Sequence, residues 1–185
     1  DKAILIKKDY YEAYNNKGNI FLKLEKLNQA LINYKKSLEI NPKYYQAYNN
    51  MGNVYLKLNN YNKAKDCFNL ALNINPKYLN ALNNLGNCLK DLKQFNNAIQ
   101  TYEKAIKINK DYAETYINLA KVLTIINNYD KANESYKKAL LINPNIDHYH
   151  SDYGIFFIKS KKYDHAIKSF EQAISLNQNA YENYR

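Results

Sequence analysis

The sequence predicts an all-α solenoid of tandem helix hairpins, and three observations carry that prediction. Asn-Pro-Lys-Tyr stands at Asn41 to Tyr44 and returns 34 residues later at Asn75 to Tyr78, the first sign of an internal repeat. Inside one period Tyr48, Gly52 and Tyr55 fall at i, i+4 and i+7, and so do Ala64, Phe68 and Ala71, which makes two separate amphipathic stripes. Composition agrees with helices. Hydrophobic residues are 46% of the 185, enough to bury a core, whereas 4 Gly and 3 Pro are too few turn formers for a β-sandwich or barrel.

The period extends through the chain. Gly18, Gly52, Gly86, Ala120 and Gly154 form one column, Ala30, Ala64, Ala98, Ala132 and Ala166 a second, and Tyr34, Phe68, Tyr102, Tyr136 and Phe170 an aromatic third. Each unit therefore holds two helices, near 45–58 and 62–74 in the second unit, joined as an αα-hairpin. Between the two lie Asn59-Asn60 and, two units on, Asn127-Asn128; asparagine tolerates the left-handed backbone that ends a helix. Pro42, Pro76 and Pro144 mark the other connection, because proline cannot continue a helix yet fits the first turn of the next. Gly52 and Ala64 are expected to let two helix backbones approach, with Tyr48, Tyr55 and Phe68 filling the space around them. One hairpin cannot cover both of its faces, so the units must stack.

On these columns the chain resembles the tetratricopeptide repeat family over essentially its whole length, in five full units at 11–44, 45–78, 79–112, 113–146 and 147–180. Some positions depart from the pattern. Lys17 stands where Met51, Leu85 and Leu119 stand, Ser37 replaces alanine, and Lys110 and Gln178 replace the closing proline. The resemblance implies a tandem repeat solenoid, a right-handed superhelix of antiparallel helix pairs whose first helices line the concave surface. Residues 1–10 align with the end of a preceding repeat, Ala3 and Ile6 matching Ser37 and Ile40, and residues 181–185 with the start of a further one, Tyr184 matching Tyr14. The expectation is one array, 1–185, excerpted from a longer repeat protein. Apolar faces at its cut ends would allow self-association.

Opposite the packed stripe of each first helix runs a polar line: Glu12, Asn16, Asn19, Lys23; then Gln46, Asn50, Asn53, Lys57; then Asn80, Asn84, Asn87, Asp91. Asn15, Asn49 and Asn83 flank it, while Asn118 and Lys121 continue its columns into the fourth unit. An amide both donates and accepts, so such a ladder can pair with the main chain of an extended peptide whatever its side chains are. The expected function is non-catalytic binding of a protein or peptide segment along an asparagine-lined groove. In the fourth and fifth units Ile117, Ile125 and Ile155 enter the same line, either as an apolar anchor for a ligand or as packing against the next turn of the array. The alternative is more specific: the runs Ala47 to Asn53 and Ala81 to Asn87 resemble the arm of O-linked N-acetylglucosamine transferases, which would make the chain a substrate-recruiting arm for a sugar-transfer domain lying outside it.

Other chemistries find little footing. The carboxylate clamp by which related arrays hold a chaperone's acidic C-terminus needs cations, yet its cation columns hold Asn15, Asn80 and Asn84 here, so chaperone-tail binding is not expected. The net charge of +10, from 27 Lys+Arg against 17 Asp+Glu, is spread over second helices and loops such as Lys35-Lys36 and Lys137-Lys138; it does not converge on one phosphate-binding surface, and nucleic acid is not an expected partner. No glycine-rich phosphate loop, Cys/His pair or metal cluster is present, so neither enzyme activity nor a cofactor is expected. His148 and Asp152 lie one turn apart, but two ligands do not make a metal site. Cys67 and Cys88 lack CxxC spacing and fit a reducing, intracellular compartment, cytoplasmic or nuclear. No run approaches the roughly 20 apolar residues that would span a bilayer.

Overall fold

The computed structural model describes residues 10–182, with side chains through residue 178. The described chain is helical throughout, in two compact units that divide at Gln94 and Phe95, between the two helices of the third repeat. The first unit holds α1 (Tyr11–Lys23), α2 (Leu27–Ile40), α3 (Tyr45–Lys57), α4 (Tyr61–Ile74) and α5 (Leu79–Asp91). The second holds α6 (Phe95–Ile108), α7 (Ala113–Ile125), α8 (Tyr129–Ile142), α9 (Asp147–Lys159) and α10 (Tyr163–Glu182).

In the first unit α1 pairs with α2 and α3 with α4, while α2 packs on α3 and α4 on α5. First helices also touch one another, α1 to α3 and α3 to α5, whereas among the described residues the second helices α2 and α4 do not. The second unit follows the same scheme: α7 touches α9, and α6 and α8 stay apart. Within each unit, then, first helices form the closer-packed inner layer.

The helix ends explain the hairpins. Glu25, Asn59, Lys93, Asn127 and Lys161 take the left-handed backbone, with φ between 55° and 60°. After each, the next backbone N–H reaches back five residues, as from Asn60 to Tyr55 O at 2.8 Å, which closes a Schellman motif. Asparagine serves at only two of these five turns. Glu25, Lys93 and Lys161 show that the geometry is imposed by hairpin packing and not by residue preference. The second asparagine of each pair has its own task, since Asn60 Oδ1 accepts from Lys63 N at 3.2 Å and Asn128 Oδ1 from Lys131 N at 3.4 Å, capping the following helix. At the other connection Asn41, Asn75 and Asn109 close turns on the backbone two residues ahead, at 2.9–3.1 Å. That side-chain bond lets the turn form at Lys110 without proline.

Around the small columns the expected packing needs one correction. The space at Gly52 is occupied by the ring of Phe68, which would lie 2.4 Å from an added Cβ, not by another backbone; Tyr34 fills the same place at Gly18 and Phe170 at Gly154. At these three positions glycine leaves room for an aromatic side chain seated directly on the first helix. Ala30, Ala64, Tyr34 and Phe68 have no exposed surface, and the same holds for Tyr102, Ala105, Ala132 and Ala139 in the second unit. The final helix runs from Tyr163 to Glu182 without a break at Asn177-Gln178. Gln178 carries the backbone N–H that proline would lack, so nothing there stops the helix. Residues 1–9 and 183–185, on which the terminal expectations fall, lie outside the described residues.

Candidate functional site

Helix periodicity gives the three asparagine columns of the first unit different surroundings. Asn15, Asn49 and Asn83 are buried, 4–5% exposed, and do not widen an open surface. Asn19, Asn50, Asn53, Asn84 and Asn87 are half-buried, and Asn16 is exposed. The reason is angular: one residue along a helix turns the side chain by about 100°, which carries position 15 inward from position 16.

The amides are bonded to each other. Asn50 Nδ2 donates to Asn15 Oδ1 at 2.9 Å and to Asn19 Oδ1 at 3.1 Å, so one side chain of α3 bridges two successive turns of α1. Tyr34 donates its hydroxyl to the same Asn19 oxygen at 2.9 Å. One repeat on, Asn84 Nδ2 donates to Asn49 Oδ1 at 2.9 Å, and Asn83 Nδ2 to the Leu79 carbonyl at 3.2 Å. Burial pushes the Tyr34 hydroxyl up to about 12, so it remains a donor at neutral pH. Tyr34 was not singled out from sequence as part of this face. Its signal was a hydroxyl in an aromatic column where Phe68 has none.

In the second unit the columns carry other groups. Ile117, which takes the place of Asn15, is fully buried, and Asn118 is 7% exposed. Of the isoleucines expected either to anchor a ligand or to pack against the next turn, Ile117 is buried, while Ile125 and Ile155 are each 51% exposed. Lys121 Nζ lies 2.7 Å from Asp152 Oδ2, so Asp152 faces the neighbouring first helix and not His148 on its own. Tyr149 donates to Glu114 Oε2 at 3.2 Å, and burial together with that carboxylate pushes its hydroxyl up to about 12. Burial, then the charge of Asp152, raise the Tyr136 hydroxyl as well.

Cys67 and Cys88 are free and buried, and burial raises both thiols to about 11, which leaves them protonated packing groups. Among the described residues no group of three or more His, Cys, Asp or Glu side chains is arranged to hold a metal ion, and no helix is long and apolar enough to cross a membrane.

Sequence models of the tetratricopeptide repeat match residues 43–111, 78–144 and 149–179, and a TPR repeat model matches residues 18–59. The chain belongs to the tetratricopeptide repeat family. No curated protein sequence matches it. Among solved structures, this TPR protein is similar to MamA at 23% identity and a TM-score of 0.75, over 89% of this chain and 96% of that one. PilF of Pseudomonas aeruginosa aligns at 22% identity and a TM-score of 0.80, over 89% and 75%. YrrB, described as a TPR protein with an unusual peptide-binding site, aligns at 25% identity and a TM-score of 0.70, over 95% and 90%. In TPR terms, the bonded amides of the first unit join the first helices of repeats one to three.

Proposed function

We propose that this TPR array is a non-catalytic interaction scaffold that holds an extended protein segment against the asparagine-bearing face of its first helices. The observation that carries the reading is the bracing of Asn50 and Asn84, each fixed by its own Nδ2 to an amide of the preceding first helix. A side chain held this way has already lost its rotamer freedom, so pairing with a partner's main chain costs less ordering entropy. The contact set is then divided by burial. Asn16, Asn19, Asn50, Asn53, Asn84 and Asn87 meet the partner, while Asn15 and Asn49 hold Asn50 and Asn84 from beneath and Asn83 is buried on its own helix; in the second unit Asn118 belongs with the buried members and Lys121 offers a contact of its own. That YrrB is described as having a peptide-binding site is consistent with such a role.

Panning randomised 12-residue displayed peptides against the full chain tests the reading. The selected peptides should lose about tenfold in affinity when single backbone amides are N-methylated, and as much with Asn84→Ala, while most side-chain replacements in the peptide change little. Selection of peptides that bind equally well to Asn84→Ala, or that tolerate every backbone methylation, would remove this function.

A further inference from the structure

Within the second unit, α6 and α8 stand on either side of a cleft of about 420 Å³, in the size range of small-ligand sites. Leu119 and Leu123 of α7, with Ile126 just past its end, line its floor, Ile99 of α6 lines one wall, and Lys131 and Glu134 of α8 the other. It opens between second helices.

The repeat register shows what the cleft lacks. In repeat two Lys63 Nζ sits 5.6 Å from the ring centroid of Tyr55, a cation over an aromatic face. The same two columns in repeat five hold Phe157 and His165, whose rings lie 5.1 Å apart. In repeat four the columns are Leu123 and Lys131, so the basic residue is kept and the ring is gone. The open volume lies against those two residues. A floor of leucine and isoleucine favours an apolar plate, and a lysine on the wall favours one with a π face.

We propose that this cleft binds an aromatic side chain of a partner protein, the ring entering between α6 and α8 to lie on Leu123 beneath Lys131, where Tyr55 supplies its own ring in repeat two. Glu134 on the same wall gives a tyrosine hydroxyl an acceptor.

The probe is N-acetyl-L-tyrosinamide, titrated into the full chain and followed by methyl NMR of Leu119, Leu123 and Ile126. Saturable shifts in the millimolar range are expected, at least tenfold tighter than with N-acetyl-L-leucinamide. Leu123→Tyr should fill the cleft and abolish them. Lys131→Gln, an exposed change that leaves the fold intact, should weaken binding about threefold to fivefold. Tyr55→Leu should open a second site beneath Lys63 and add a second set of shifts in the first unit. No saturable shift at these methyls, equal binding of the leucine probe, or wild-type binding by a folded Leu123→Tyr or by Lys131→Gln would each overturn the proposal.

Discussion

In the first unit, neighbouring first helices are joined by neutral amides, Asn50 of α3 to Asn15 and Asn19 of α1. The columns of Asn19 and Asn50 recur in the second unit as Lys121 and Asp152, and there the same junction is an ion pair at 2.7 Å. The change is coordinated. Where Asn15 becomes Ile117 the inner amide partner is lost, and a fully buried isoleucine needs none. An amide bridge draws its strength from satisfying groups that would otherwise be stranded away from water. A half-exposed ion pair draws its strength from Coulomb attraction that water and salt weaken. One backbone register therefore accepts two unlike solutions, provided that each meets its own desolvation requirement.

Five substitutions, at three places in the repeat, probe that comparison. The largest effect is expected at the glycine column, where the repeats differ: Gly52 lies under Phe68, as Gly154 of the second unit lies under Phe170, but repeat four holds Ala120 there and already accommodates a Cβ. Gly52→Val should destabilise the chain by about 2–3 kcal/mol through overpacking, read from urea denaturation, whereas Ala120→Gly should cost about 1 kcal/mol through helix propensity. Equal losses at the two sites would break the distinction.

Next in size is the junction itself. Asn50→Ala strands the buried Asn15 oxygen and should cost about 1–2 kcal/mol at any ionic strength, whereas Asp152→Asn should cost less than about 1 kcal/mol and lose most of that effect in 1 M NaCl. Thermal melts across a salt series separate the two. A salt-sensitive Asn50→Ala would mean that the amide bridge is not what holds α1 to α3.

The smallest effect is a gain. Ser37 is fully buried with its hydroxyl unpaired, in a column where the second unit has Ala105 and Ala139, also fully buried. Ser37→Ala should raise stability by about 1 kcal/mol in denaturant titrations, because it removes an unsatisfied polar group without leaving an appreciable cavity. A loss instead would show that the hydroxyl has a partner after all.

Much of the fold was legible in the sequence because repetition multiplies a weak signal: one i, i+4, i+7 pattern is ambiguous, but the alanine column of Ala30 through Ala166 is not. Helix bounds at 45–57 and 61–74 fall within a residue of those expected. The turns were read for only part of their chemistry. Asn59 marked a left-handed residue correctly, yet Glu25, Lys93 and Lys161 do the same work with no propensity for it. At the candidate site, sequence located the asparagine columns but not their division into buried and half-buried members, nor Tyr34 and Asp152 as partners.

What the sequence determined alone is the repeat: its 34-residue period, its two helices per unit and the residue types available at each column follow from spacing along one chain. The tertiary structure decided which side chains meet across helices, that Phe68 and not a backbone fills the space at Gly52, and that an amide bridge in one unit is an ion pair in the other. Periodicity fixes the angle at which a side chain leaves its own helix. The distance to a neighbour 31 residues away is set by how the hairpins pack, and only that distance turns an asparagine column into a bonded network.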